Sequence, residues 1–290
     1  MNRPLLLLVG SGAMLGLNFP IGKLVLAQGV DPALWAALIS LGAGFAMLLI
    51  SGFLRLEIVR SRAILSFSII SGILSYVVPN LLTFLVIPKI GSGLAAVMFA
   101  LSPLATAVIS VVLKVRPPNG WGLMGIAIGL AGALIIVFGR SSHLDANGSA
   151  WIIAALFIPV FLGLGNVYRT AAWPKGAAPQ LLAAYTNLAA VPFLITVAVF
   201  MHSDMKTLLQ IPWLIALQIL VSTTMFLMFF RLQQIGGPTY LSQIGYVAAA
   251  VGLVIGVVVL SENYPAMVWL GAGVVAFGVA VSTWGGMHKA

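Results

Sequence analysis

Tyr76, Asn80 and Thr83 stand at i, i+4 and i+7, so on a helix they share one face. A phenol, a carboxamide and a hydroxyl in one row can hydrogen-bond the amino group and the carboxylate of a zwitterion. Pro79 lies among them and would kink such a helix or free a carbonyl. Other uncharged polar stripes recur: Ser11, Met14 and Asn18; Gln218, Ser222 and Met225; Tyr240, Gln243 and Tyr246. Asn166 follows Pro159, Tyr185 is close to Asn187, and Met98, Phe99, Ser102 and Pro103 form a tight run. The candidate binding set is therefore Asn18, Tyr76, Asn80, Thr83, Met98, Ser102, Asn166, Tyr185, Asn187, Gln218, Gln243 and Tyr246. Pro20, Pro79, Pro103 and Pro159 are candidate hinges. Met and Phe could receive an apolar or aromatic side chain. The plainer role for each Asn or Gln is a helix–helix hydrogen bond, worth about 1 kcal/mol in a membrane. For Ser and Thr it is a bond to their own helix.

What is missing narrows the chemistry. No Asp, Glu, Lys, Arg or His falls near the centre of a long apolar stretch. Proton-coupled cation carriers need a central carboxylate, and carriers of phosphorylated solutes need a central Lys or Arg. Neither is visible, although Lys23, Lys89, Arg169 and Arg231 lie near stretch ends and could reach inward. There is no Cys and no His-Glu-x-x-His, and His143, His202 and His288 fall in loops or the tail. No catalytic residue, metal site or cofactor is expected, and the chain is not expected to be an enzyme.

The elements that must hold these residues follow from composition. Only 7% of the 290 residues are charged, 61% are hydrophobic, and the mean hydropathy is +1.15. A water-facing surface needs about 25% charge, so most of this chain faces lipid. There, helices or closed barrels alone satisfy the backbone. The apolar runs are long rather than alternating, which selects helices over barrel strands.

Ten stretches reach the length needed to span a bilayer: 4–27, 32–53, 64–87, 92–113, 120–138, 149–170, 178–200, 210–231, 238–260 and 264–284. Turn-forming breaks separate them, including Asp31-Pro32, Arg60-Ser61-Arg62, Gly91-Ser92-Gly93, Arg116-Pro117-Pro118-Asn119 and Asp145-Ala146-Asn147-Gly148. The first stretch shows no small-residue cleavage site, so it is expected to stay as a span.

With the N-terminus in the cytoplasm, the inner segments hold Arg3, Arg55, Arg60, Arg62, Lys114, Arg116, Arg169, Lys175, Arg231 and Lys289. The outer ones hold Lys23, Lys89, Arg140 and Lys206. This positive-inside bias predicts cytoplasmic termini. The net charge of +9 therefore reflects topology, and no nucleic-acid partner is expected. All seven tryptophans lie at or near stretch ends, where indole prefers the headgroup layer.

The two halves, 1–143 and 144–290, echo each other. Gly16-Leu17-Asn18 resembles Gly163-Leu164-Gly165-Asn166, and Lys89-Ile90-Gly91 resembles Gln234-Ile235-Gly236. Gly122 and Gly129 match Gly271 and Gly278 in spacing. Five spans per half is an odd number, so the halves enter the membrane from opposite sides. That is the inverted repeat typical of alternating-access carriers, with a site near the midplane. The Gly252–Gly256 pair has the spacing of close helix packing.

Ten spans in two halves, Gly16-Leu17-Asn18-Phe19-Pro20 in the first span and Trp121-Gly122 opening the fifth resemble the drug/metabolite transporter superfamily, in its EamA branch. Within it the chain looks most like the YddG-type exporters of aromatic and neutral amino acids. The resemblance implies an all-α basket of ten helices around a central cavity. It also implies a monomeric exporter of neutral or aromatic amino acids in the bacterial inner membrane, in contact with lipid. The expected mode is facilitated diffusion or exchange. The alternative is a carrier of another small metabolite or drug, with proton coupling as one mode open to it.

Overall fold

The computed structural model describes residues 3–56, 61–115, 119–141 and 146–287. Arg60, Arg116, Pro117, Pro118, His143, Asp145, His288 and Lys289 lie outside the described residues, as do the side chains of Arg3, Arg140, Tyr240 and Trp284. The described residues form helices and turns, with no strand among them. The helices are α1 (Arg3–Leu26), α2 (Pro32–Phe53), α3 (Arg62–Gly72), α4 (Val78–Ile90), α5 (Ser92–Phe99), α6 (Ser102–Val112), α7 (Gly120–Ser141), α8 (Ala146–Ala155), α9 (Phe157–Ala171), α10 (Pro179–Phe200), α11 (Pro212–Ser242), α12 (Ile244–Val258) and α13 (Ala266–Met287). A π turn, Ile73–Val77, joins α3 to α4. Among the described residues, seven continuous stretches are long and apolar enough to cross a membrane, and three apolar helical stretches, 120–132, 244–258 and 266–278, are shorter.

Local chemistry sets the helix ends. The Asp31 carboxylate accepts from the amides of Ala33 (2.8 Å) and Leu34 (3.4 Å), and Pro32 fills a first-turn position where its missing N–H costs nothing. Ser61 caps α3 by accepting from the Ile64 amide at 3.2 Å. Gly91 turns the chain between α4 and α5 at φ 88°, a conformation side chains resist. The turn predicted between 231 and 238 is tighter than the sequence suggested. The helix runs on to Gly237 (φ 71°, ψ −176°), and Pro238 starts the next segment directly.

Helix α2 shows how lipid inverts the usual pattern. Ala36, Ser40, Ala43, Gly44 and Met47 face inward and are buried, while Leu41, Phe45 and Leu49 face out. Small inward residues let backbones approach, and large apolar ones meet lipid tails.

The helices pair crosswise between halves. α2 packs on α10 and α7 on α13. α1 packs on α11 and α12, while α9 packs on α4, on the π turn and on α6. Each half thus lends its first span to the third and fourth spans of the other. α7 and α13 run antiparallel: a Cβ on Gly132 would stand 2.7 Å from the Val275 amide, and one on Gly278 would stand 2.6 Å from the Gly125 carbonyl. This is the pairing a pseudo-two-fold axis across the bundle produces.

Two sequence expectations need correction. Trp35 begins α2 but is 0% exposed, packed in the core rather than lying in the headgroup layer. Arg169, which the charge count places with the cytoplasmic segments and which stands near a stretch end within inward reach, is also 0% exposed. Its stem leans back along α9, because helical side chains point toward the N-terminus, and the charge enters the bundle.

Candidate functional site

A cavity of about 550 Å³ lies midway along the bundle, between α1, the π turn, α4, α5, α6, α9, α11 and α12. Its polar lining comes from Ser75, Tyr76, Asn80, Ser102, Asn166, Arg169 and Ser242, its aromatic lining from Phe99, Phe226 and Phe229. A second cavity, about 380 Å³, shares Leu15, Asn80, Phe99, Met225 and Phe226 with the first and adds Asn18, Thr83 and Ser222. The two therefore lie in series along the bundle, and the shared side chains form the waist between them.

The π turn shapes one wall. The Val78 amide bonds the Ile73 carbonyl, one residue further back than in an α-helix, and Pro79 has no N–H to offer Ser75. Such turns recur at functional sites. Here the turn presents Ser75 and Tyr76 to the cavity. Tyr76 meets Phe226 edge-on, with ring centroids 4.8 Å apart, and its hydroxyl is buried beside Asn187 without closing a hydrogen bond. Asn80, one turn on, is half-buried, lines both cavities and makes no hydrogen bond to the protein.

Arg169, on α9, lines the cavity beside the π turn. Its Nε donates to Gln233 Oε1 (3.2 Å), Nη2 to Asn166 Oδ1 (2.6 Å) and Nη1 to Ser75 Oγ. The guanidinium lies 5.0 Å from the Phe229 ring centroid. Its acceptors are themselves held: Asn166 Nδ2 donates to Thr106 Oγ1 (3.2 Å), and Gln233 Nε2 donates to Thr170 Oγ1 (2.6 Å). Among the described residues no carboxylate pairs with this cation.

The other predicted residues spread out. Asn18 Oδ1 accepts from Gln218 Nε2 and from Ser222 Oγ (3.1 Å), tying α1 to α11 beside the second cavity. Thr83 bonds its own helix, at Pro79 O (2.6 Å). Asn187 Nδ2 does the same at Ala183 O (2.9 Å). Met98 is 1% exposed in the core. Tyr185 packs on the core, and Gln243 sits at the break between α11 and α12. Tyr246 lines a separate apolar cavity with Val97, Ala249 and Ala276. Pro20 is inside α1, while Pro79, Pro103 and Pro159 stand in the first turns of α4, α6 and α9. Arg169, Ser75, Gln233 and Phe229 were not in the predicted set. The signal that could have found them is Asn166 and Arg169 at i, i+3 on an otherwise apolar helix.

At one end of the bundle the halves are latched. Glu262, between α12 and α13, accepts from Lys23 Nζ (2.5 Å), Ser92 N and Oγ (both 2.8 Å), Gly93 N (3.0 Å) and the Tyr264 hydroxyl. Burial alone would push its carboxyl upward, but the bonds from Lys23, Tyr264, Ser92 and Gly93 outweigh it and hold the pKa at about 2. Burial and the neighbouring carboxylate push the Tyr264 phenol up. Gly256 makes room, since a Cβ there would stand 2.7 Å from Glu262 Oε2. Lys89 and Arg231, by contrast, stay exposed.

Comparison with known proteins gives the family. No curated protein matches the sequence. A solved structure described only as a crystal structure of a protein superposes with a TM-score of 0.68 at 19% identity, covering 97% of this chain and 99% of that one. At that identity it shows the fold alone. The family model described as the EamA-like transporter family matches twice, at residues 2–138 and 149–284. Each match covers one of the two helical sets that pair crosswise around the polar cavity, so the chain belongs to the EamA-like transporter family, membrane proteins that carry small molecules.

Proposed function

We propose that the chain exports neutral and aromatic amino acids by alternating access, as facilitated diffusion or exchange. The observation that carries this reading is the central cavity, which the unpartnered Asn80 carboxamide lines together with Phe99, Phe226 and Phe229. The lining offers hydrogen bonds to a zwitterion and apolar faces to its side chain. The seven long spans and three shorter apolar helices act together as ten spans in two repeats, 1–143 and 144–290. The protein works as a monomer in a bacterial inner membrane with both termini cytoplasmic. The halves rock about the cavity, and the helix starts at Pro79, Pro103 and Pro159, with Pro20, serve as hinges. Opening toward the Glu262 end requires that latch to release.

The test is counterflow in proteoliposomes loaded with unlabelled amino acids, following entry of labelled phenylalanine, methionine or threonine. Uptake should depend on the trapped amino acid and fall in Asn80→Ala. That variant should fold as wild type does, within about 0.5 kcal/mol, because the carboxamide has no protein partner. Absence of counterflow with every amino acid refutes the reading. The buried Arg169 favours a second one, in which the solute is another small anionic metabolite.

A further inference from the structure

We propose that Arg169 is the anion clamp of the central cavity: it binds the carboxylate of the transported solute, which supplies the counter-charge the protein withholds. The inference rests on the amino-acid reading for the rest of the solute, but not for the anion.

The argument starts from charge. Arg169 is 0% exposed inside a bundle that faces lipid. A buried ion without a counter-ion is costly, and intramembrane ionisable groups are kept where they meet a partner or a solute. The single ion pair among the described residues, Lys23 with Glu262, is at the far end of α1. The three acceptors on Arg169 are all uncharged: a hydroxyl and two carboxamides. They orient the cation without neutralising it.

Geometry adds to this. A guanidinium has five N–H donors, and three nitrogens each make one protein bond. The remaining donors belong to a group that lines the cavity. The Phe229 face and the anchored Asn166 and Gln233 hold the fork still, so little side-chain entropy is lost when an anion docks. Tyr76 on the π turn and Asn80 on α4 line the same cavity, and the Asn80 carboxamide, which has no protein partner, offers its oxygen to an amino group.

The experiment measures binding to purified protein by calorimetry, with L-phenylalanine, L-phenylalaninamide, 3-phenylpropionate and inorganic phosphate as probes. Wild type should bind the acid at least about 30-fold tighter than the amide, the scale of one charge-assisted hydrogen-bonded contact. Arg169→Gln should erase that ratio, weakening the acid without weakening the amide, which a merely structural arginine would not do. Arg169→Lys should keep part of it, since the charge stays and the planar fork is lost. Should Arg169→Gln fail to fold, the wild-type ratio and Arg169→Lys still decide. Equal binding of acid and amide by wild type, an unchanged ratio in Arg169→Gln, or no binding of any anionic probe by folded protein overturns the clamp. Binding of 3-phenylpropionate or phosphate that depends on Arg169, with no binding of phenylalanine, keeps the clamp and removes the amino-acid reading.

Discussion

Replacing Glu262 by Gln tests the latch with the least change in shape. The carboxylate holds Lys23 from α1, the amides at the start of α5 and the Tyr264 hydroxyl, so it joins the two repeats at one end. Its pKa lies at about 2 rather than the ordinary 4.5. At about 1.36 kcal/mol per pH unit this corresponds to about 3 kcal/mol. Lys23 is 35% exposed, and solvent screening brings the value to about 2 kcal/mol. Because the folded pKa is depressed, this stabilisation is complete above the unfolded pKa and is lost as pH falls through the folded one. More than half of it should be gone by about pH 3. Thermal unfolding in detergent should show Glu262→Gln about 5 °C below wild type at pH 7. The gap should close between about pH 5 and pH 2 as the wild type loses its advantage. Parallel curves across that range, or an equal melting temperature at pH 7, would refute the assignment.

Two more substitutions probe the packing. Gly245→Ala would press a Cβ onto the Phe99 carbonyl, backbone against backbone, and should cost about 2 kcal/mol or more, read as a lower melting temperature. An unchanged melting temperature would mean α5 and α12 can part freely. Gln218→Met should cost no more than about 1 kcal/mol: Asn18 and Ser222 still bond each other, and the buried Gln218 Oε1 has no partner to lose. A larger loss in denaturant unfolding would show that the α1–α11 network is cooperative.

How much the sequence revealed depended on whether the signal was local. The Asp31-Pro32 cap is a contact between near neighbours, and the expected span 32–53 coincides with α2. Span 92–113 was read as one helix, but it breaks at Ala100 and Leu101, with Pro103 in the next first turn. The proline was visible, while the break also depends on α12 lying against that carbonyl through Gly245. In the site, Tyr76, Asn80, Ser102 and Asn166 line one cavity, reached from the π turn, α4, α6 and α9. Met98 and Tyr246 have equally plausible spacing but point elsewhere, because which face meets the cavity is decided by the neighbouring helix. Arg169 was hidden by its position near the end of α9, where a charge is ordinarily solvated.

The latch has a consequence for the relation between the repeats. Lys23 lies near the end of α1 in one half and Arg169 near the end of α9 in the other, the first at the latched end of the bundle and the second on the central cavity. One has a resident acid, Glu262, and the other has only neutral neighbours. The two places are unequal, and a single acidic residue makes them so. At one, the chain itself supplies the counter-charge. At the other, the missing acid arrives with the cargo, so an unloaded molecule has a preferred resting posture written into one side chain.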